Sequence, residues 1–287
     1  VRPFDYLRPK SAEEAIEMKA RLGKKASFLA GGTDLLVKLK EDAVRPEALI
    51  DLSFIESLKE IREADGTVAI GSLASYADIG SSPLIERFGY ILRQGALEIG
   101  APQIQNAATI GGNIANASPA ADGIPPIYAL GAHITLVGKE GRRVVAVEDF
   151  FTGPGKTVLK EDELIIEIGF PKMMEQDKGF FKKIGQRKAL AISKASVAAV
   201  LHIANGKIEE ARVALGAVAP TVIRCPKTET LLKGRKISGS LIEEAAKSVS
   251  SESMAIGDVR STPEYRDYVI GVLFERGMRN IFSDILP

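Results

Sequence analysis

Two glycine pairs, each set where an apolar run gives way to short polar residues, constrain this chain more than any other feature. The first lies in Phe28-Leu29-Ala30-Gly31-Gly32-Thr33-Asp34-Leu35-Leu36, where a strand-like run passes through the glycines and a cap residue into a helical pattern. With no side chains at Gly31 and Gly32, backbone amides can approach an anion, and the helix beyond adds unpaired N–H groups and the positive end of its dipole. The second lies in Thr109-Ile110-Gly111-Gly112-Asn113-Ile114-Ala115-Asn116-Ala117-Ser118-Pro119-Ala120-Ala121-Asp122, a stretch poor in charge and bulk. Its glycines permit positive φ and close backbone approach, while Thr109, Asn113, Asn116 and Ser118 offer polar groups that bond without filling space. A tight turn capping a helix would explain either pair alone. The two together make a candidate dinucleotide site.

Other nucleotide motifs are absent or incomplete. Gly153-Pro154-Gly155-Lys156-Thr157 imitates the tail of a phosphate-binding P-loop, but Phe150 stands where that motif needs its first glycine, and Pro154 removes an amide donor. The following Glu163 to Phe170 alternates as a strand instead of opening a helix. No G-x-G-x-x-G follows a strand pattern, which argues against a Rossmann domain.

The chain has 287 residues, 45% hydrophobic and 26% charged, long enough for a sizeable core divided among two or three domains. Its 38 basic residues balance 37 acidic ones, so no strong field invites nucleic acid or an anionic membrane. No run approaches the roughly 20 apolar residues of a membrane span, and Val1-Arg2-Pro3-Phe4-Asp5 leads into polar sequence without an apolar signal core; a cytoplasmic protein is expected. Cys225 is the single cysteine, so neither an internal disulfide nor an iron–sulfur cluster held by this chain alone is possible. His133 and His202 sit far apart in apolar strand patterns, and no metal site is expected.

Taken in order, a capping-box sequence at Ser11-Ala12-Glu13-Glu14 opens a helix that Gly23 ends. Ser27 to Ala30 reads as a strand, Thr33 to Lys40 as a helix and Ala48 to Leu52 as a strand. Leu58 to Ile61 and Thr67 to Ile70 flank the hairpin signal Asp65-Gly66. Ser75 to Asp78 offers a cap, Leu84 to Ile99 carries helical spacing behind Pro83, and Ile124 to Leu130 continues helically. Ile134 to Val137 and Arg143 to Val147 form a hairpin around residues 138–141. Beyond a linker at Pro171 to Lys178, three strands are expected at Phe180 to Ile184, Ala195 to Ala204 and Lys207 to Val218, the last two joined by Asn205-Gly206. Helices follow at Lys227 to Lys233, at Leu241 to Ser250 behind a Ser240-x-x-Glu243 box, and at Pro263 to Phe282.

At its two glycine pairs the chain resembles the FAD-binding medium subunit of the molybdenum hydroxylases, the xanthine dehydrogenase and carbon monoxide dehydrogenase family. Phe150-Phe151-Thr152-Gly153, Glu163-Leu164-Ile165-Ile166-Glu167-Ile168, Phe181-Lys182-Lys183-Ile184-Gly185-Gln186-Arg187 and Ala191-Ile192-Ser193 fall in the family's order, so the resemblance covers nearly the whole chain. It implies an α+β fold: a two-lobed FAD-binding domain of the molybdopterin dehydrogenase type, with lobes at 1–57 and 58–175, then a C-terminal domain at 176–287 carrying a three-stranded antiparallel sheet and a helix bundle.

By the same resemblance Leu29, Ala30, Gly31, Gly32, Thr33, Asp34 and Leu35 wrap the FAD pyrophosphate and neighbouring ribose through main-chain amides. Asp34 fits equally as a helix cap. Thr109, Gly111, Gly112, Asn113 and Asn116 line the flavin side, and Asp122 matches a position that bonds the cofactor's polar chain, although it too could cap a helix. Ile99 and Gly100 align where relatives carry an aromatic over the flavin, and isoleucine departs from that pattern. Leu164 and Ile165 would cover the ring, as any buried strand would also require, and Lys182 aligns with a cofactor-contacting lysine but reads equally as an exposed strand residue. Arg187 falls on a basic turn that either steers an electron acceptor or is simply solvated.

The function so implied is an electron-transferring flavoprotein subunit with no general base or catalytic triad of its own. The molybdenum cofactor and 2Fe-2S clusters belong to two partner subunits, in a dimer of heterotrimers. The acceptor is left open among a nicotinamide nucleotide (NAD), oxygen, a quinone and a carrier protein. A self-contained FAD-dependent oxidase and a non-enzymatic nucleotide-binding module are the rival readings. No cysteine-rich insertion of the benzoyl-CoA reductase type occurs between Asn113 and Asp122.

Overall fold

Three larger sheets, contributed by successive stretches of chain, and one two-stranded ribbon make up the β structure of a computed structural model that describes residues 2–187 and 189–284. The first stretch comprises β1 (Asp5–Leu7), α1 (Ala12–Leu22), β2 (Ala26–Leu29), α2 (Leu35–Lys40) and β3 (Ala48–Asp51). Its strands lie in the order β1-β3-β2, all parallel. Ser11 caps α1 by accepting from the Glu14 amide, while the Glu14 carboxylate takes the amide of Lys10, one residue before its capping-box partner. Ala15, Ile16, Ile50 and Leu52 form the core of this lobe.

The second stretch begins with the expected hairpin, β4 (Ile61–Ala64) and β5 (Thr67–Gly71), whose turn residues Asp65 and Gly66 both have positive φ, as a tight two-residue turn requires. Helices α3 (Tyr76–Ser81), α4 (Pro83–Phe88), α5 (Tyr90–Leu97), α6 (Pro102–Ala107), α7 (Ile110–Asn116) and α8 (Ile124–Ala129) follow. The chain then makes β6 (His133–Gly138), β7 (Gly141–Ala146), β8 (Phe151–Gly153), β9 (Lys156–Thr157) and β10 (Leu164–Pro171). The sheet order is β4-β5-β10-β6-β7, antiparallel throughout. The single helical pattern expected over Leu84 to Ile99 is divided at Gly89. A Cβ there would stand 2.8 Å from the Phe170 ring, so the close packing of helix on strand is possible only at a glycine. Residues 153–157 lie on the β8–β9 hairpin, with Gly155 at positive φ, and open no helix.

The last stretch holds β11 (Asp177–Ile184), β12 (Ala195–Ala204), β13 (Lys207–Gly216), β14 (Ile223–Arg224), α9 (Pro226–Leu232), α10 (Gly239–Glu252) and α11 (Pro263–Ile281). Its antiparallel sheet has four strands, β11-β12-β13-β14, against the three expected. The fourth pairs over only two residues, too short for an alternating pattern to register in sequence. Ser238, not Ser240, caps α10 by accepting from the Leu241 amide.

Strand β11 serves two cores through the two-residue alternation of a strand. Phe180 and Ile184 face the helices α10 and α11, whereas Phe181 faces the core of the second lobe. The phase of this strand decides which of two adjacent lysines reaches the interior near the candidate site.

Candidate functional site

The two glycine pairs meet across a cleft between the first and second lobes. Its cavity volume is about 230 Å³, just under the roughly 300–1,000 Å³ usual for small-molecule sites, and its mouth opens to solvent. From the first lobe come Ala30, Gly31, Gly32, Thr33, Asp34 and Leu35; from the second come Thr109, Gly111, Gly112, Asn113, Leu164 and Ile165. Ile99 and Ile104 add apolar wall. The lobes touch where the loop after β2 presses on the α6–α7 junction. A Cβ on Gly31 would fall 1.7 Å from the Ala107 carbonyl oxygen, so the first pair is held against the second lobe by a contact only glycine permits.

The backbone amides divide the work unequally. Among the described residues, nothing accepts from the amides of Gly32, Thr33, Asp34 or Leu35, which remain available to an anion in the cleft. At the second pair the amides are spent inside the fold. Gly111 donates to the Ser72 carbonyl at 2.8 Å, Gly112 to Thr109 Oγ1 at 3.2 Å and Asn113 to the Thr109 carbonyl at 3.0 Å. Thr109 is therefore the cap of α7, and the second pair contributes side chains and close approach in place of amides.

Asp34 precedes α2 without capping it through its side chain. Its Oδ1 instead accepts from Asn116 Nδ2 at 2.9 Å, and Asn116 Oδ1 accepts from Lys38 Nζ at 2.7 Å. Asn116 thus ties the lobes together at the rim and is not among the lining residues, and neither are Leu29, Gly100, Asp122 or Lys182. Gly100 has φ +49° and its carbonyl accepts from the Leu190 amide, a backbone role behind the wall that Ile99 forms.

Asp122 caps no helix, since α8 is preceded by Gly123 with no side-chain cap. It lies behind the cleft in a buried cluster. Lys183 Nζ stands 2.6 Å from Asp122 Oδ2 and donates to the Glu98 carbonyl at 2.7 Å, while Ser193 Oγ donates to Asp122 Oδ1. The two charged side chains are 7% and 8% exposed. Burial pushes the Asp122 carboxyl up, and the hydrogen-bonded Lys183 ammonium and Ser193 hydroxyl pull it back. The lysine in this cluster is Lys183, on the Phe181 side of β11; Lys182 shares the Phe180 side, turned toward the C-terminal helices.

Three cleft residues are not among those the sequence assigned to the cofactor. Ser72, 3% exposed, lines the wall beside Gly111 with its Oγ unpaired among the described residues. Tyr76, 1% exposed, lies behind Asn113 and donates to its Oδ1 at 2.8 Å. Glu163 closes the far wall, held by Arg143 through two bonds of 2.7 Å, and that pairing keeps its carboxyl below the usual range. Of these only the capping box Ser75-x-x-Asp78 hinted that Tyr76 begins a helix.

The site fits a dinucleotide with a flavin ring. Amides without a protein acceptor suit an anionic linker, the buried hydroxyl of Ser72 has no partner among the described residues, and Leu164, Ile165, Ile99 and Ile104 offer apolar cover for a ring. Among the described residues no group of three or more metal-ligating side chains occurs.

A family model described as the FAD binding domain in molybdopterin dehydrogenase matches residues 2–173, and one for the CO dehydrogenase flavoprotein C-terminal domain matches residues 180–281. The carbon monoxide dehydrogenase medium chain of Hydrogenophaga pseudoflava is 33% identical over 275 residues, covering 96% of each chain. A putative xanthine dehydrogenase FAD-binding subunit of Escherichia coli K12 is 32% identical over 273 residues, covering 94% of this chain and 93% of its own. In structure, a carbon monoxide dehydrogenase from Hydrogenophaga pseudoflava that lacks the Mo-pyranopterin moiety of its cofactor superposes with TM-score 0.94 over 99% of both chains at 32% identity.

Proposed function

The chain belongs to the FAD-binding medium subunits of the molybdenum hydroxylases, and from that premise we propose that its cleft holds FAD with the diphosphate on the Gly32 to Leu35 amides. The observation that carries the assignment of residues is this run of amides, on residues that line the cleft and with no protein acceptor of their own among the described residues. Ala30 and Gly31 shape the approach, and Thr109, Gly111, Gly112 and Asn113 form the facing wall. Leu164 and Ile165 cover the ring, and Asn116 closes the rim by joining Asp34 to Lys38. Asp122 is paired behind the cleft with Lys183, the neighbour of the lysine that the family pattern aligns with a cofactor contact, and none of Asp122, Lys182 and Lys183 lines the cleft.

When bound, FAD would supply the redox chemistry that links iron–sulfur clusters of a partner subunit to an acceptor. This chain's residues bind and orient it, exclude water from the ring through Ile99, Ile104, Leu164 and Ile165, and hold the surrounding charges fixed. Hydroxylation belongs to the molybdenum subunit.

The finer organisation extends the same reading: lobes at 1–57 and 58–175 carrying the cleft, a separate domain at 176–287, a heterotrimer paired into a dimer, a cytoplasmic location, and NAD as the first acceptor to assay. Three hydrophobic clusters are centred on the two lobes and the C-terminal stretch, the first completed by Leu164 of the second lobe and the second by Phe181 of the C-terminal stretch, and they support the three-part division.

Titration of the purified chain with FAD, followed by quenching of flavin fluorescence, tests the site. Wild type is expected to bind and Gly112→Val to lose retention, because its Cβ would stand 2.9 Å from Thr109 Oγ1 and its methyl groups would enter the cleft. Unchanged FAD affinity in the folded variant defeats the assignment.

A further inference from the structure

Tyr76 lines the same cleft yet is turned away from solvent, and its hydroxyl has one partner among the described residues, Asn113 Oδ1 at 2.8 Å. The elements around it fix this arrangement. Ser75 and Asp78 make a complete capping box at the start of α3, the Tyr76 amide donates to the Ala108 carbonyl, and Ser75 bridges to Thr109, the cap of α7. The first residue of α3 is thereby locked beside the first turn of α7, where Asn113 projects. Gly123 gives the ring its space, since a Cβ there would lie 2.1 Å from the Tyr76 hydroxyl.

A side-chain amide has a donor end and an acceptor end, and either could face the cleft. The buried phenol decides between them. Its proton needs an acceptor, and burial with the Asp122 and Asp34 charges nearby pushes its pKa far up, so the proton stays in place. Oδ1 must therefore face Tyr76. That leaves Nδ2, which has no partner among the described residues, directed to the cleft as a donor.

We propose that Tyr76 is a positioning residue which, through its hydroxyl, holds the Asn113 amide so that Nδ2 donates a hydrogen bond to an acceptor atom of the bound cofactor. The proposal rests on the cleft holding FAD. It assigns the cofactor-facing side of α7 one neutral, oriented donor, in a place where the amides of α7 are already used within the fold.

The test is a double-mutant cycle on the full chain, with FAD dissociation constants measured by fluorescence titration and melting temperatures recorded for every variant. Tyr76→Phe keeps the ring and removes only the proton donor; it is expected to weaken FAD binding about fivefold to tenfold, the range of a single hydrogen bond. In an Asn113→Ala background the same change is expected to have no further effect on affinity. Asn113→Asp, which keeps an acceptor for Tyr76 but offers the cofactor a carboxylate oxygen in place of the donor, is expected to bind more weakly than Asn113→Ala. Wild-type affinity in Tyr76→Phe, an equal loss in both backgrounds, or wild-type affinity in Asn113→Asp overturns the proposal. A wild-type chain that takes up no FAD defeats the cofactor assignment itself, a result distinct from any of these.

Discussion

Replacing Lys183 by methionine keeps the length of the side chain and removes its charge from the cluster behind the cleft. In the wild type, Lys183 Nζ satisfies Asp122 Oδ2 at 2.6 Å and the Glu98 carbonyl at 2.7 Å, and neither charged side chain is more than 8% exposed. Methionine leaves the Asp122 carboxylate with Ser193 alone and leaves the Glu98 carbonyl short of this donor. Removing one partner of a buried pair costs about 3–5 kcal/mol, which for a protein of this size corresponds to a melting temperature lower by on the order of 10 °C. The pH dependence gives a second reading. Burial already raises the Asp122 carboxyl, and without Lys183 it rises further. An acid whose folded pKa is raised destabilises the fold fully above that pKa and ceases to do so below its unfolded value of about 3.9. The deficit of Lys183→Met is therefore expected to be largest at neutral pH and to shrink as pH falls toward 5. Lys183→Met/Asp122→Asn is expected to recover most of the loss at pH 7, and Lys182→Met, on the other side of β11, to change the melting temperature little. Thermal unfolding followed by far-UV circular dichroism at several pH values measures all four. A Lys183→Met variant that melts with wild type, or a deficit that grows on acidification, would refute the reasoning.

Gly31→Ala is expected to abolish FAD retention and lower stability, because its Cβ would have to clear the Ala107 carbonyl by more than an ångström and would drive the first glycine loop off the second lobe; flavin content after gel filtration checks it. Glu163 has its carboxyl held below the usual range, chiefly by the hydrogen-bonded Arg143. Its contribution is present above the unfolded value of about 4.3 and is lost as pH falls through the lower folded value. Glu163→Gln should thus lose about 1–2 kcal/mol at pH 7 and show a flatter acid limb in urea titrations run between pH 3 and 7.

Much of the molecule was legible in the sequence because it is decided over a few residues. Asp65-Gly66 and Asn205-Gly206 turn hairpins through local backbone preferences, and both turns have the positive φ those residues tolerate. The glycine pairs at 31–32 and 111–112 marked the cleft, since only the absence of a side chain allows the approaches found there. The family pattern along the chain carried the cofactor and the two lobes. Tertiary structure decided what depends on partners far away in the chain. Alternation along β11 is visible in sequence, but which face meets the second lobe is set by packing, and so Lys183 and not Lys182 reaches Asp122, 61 residues away. Asp34 looks like a cap until Asn116, 82 residues on, claims its carboxylate. Gly89, with non-helical φ −155° and ψ 35°, divides a continuous helical pattern, and Phe170 occupies the space of its missing side chain. Ser72 and Tyr76 acquire their places in the cleft only when β5 and α3 are brought against α7, an arrangement fixed by burial over the whole lobe and recorded in no short motif.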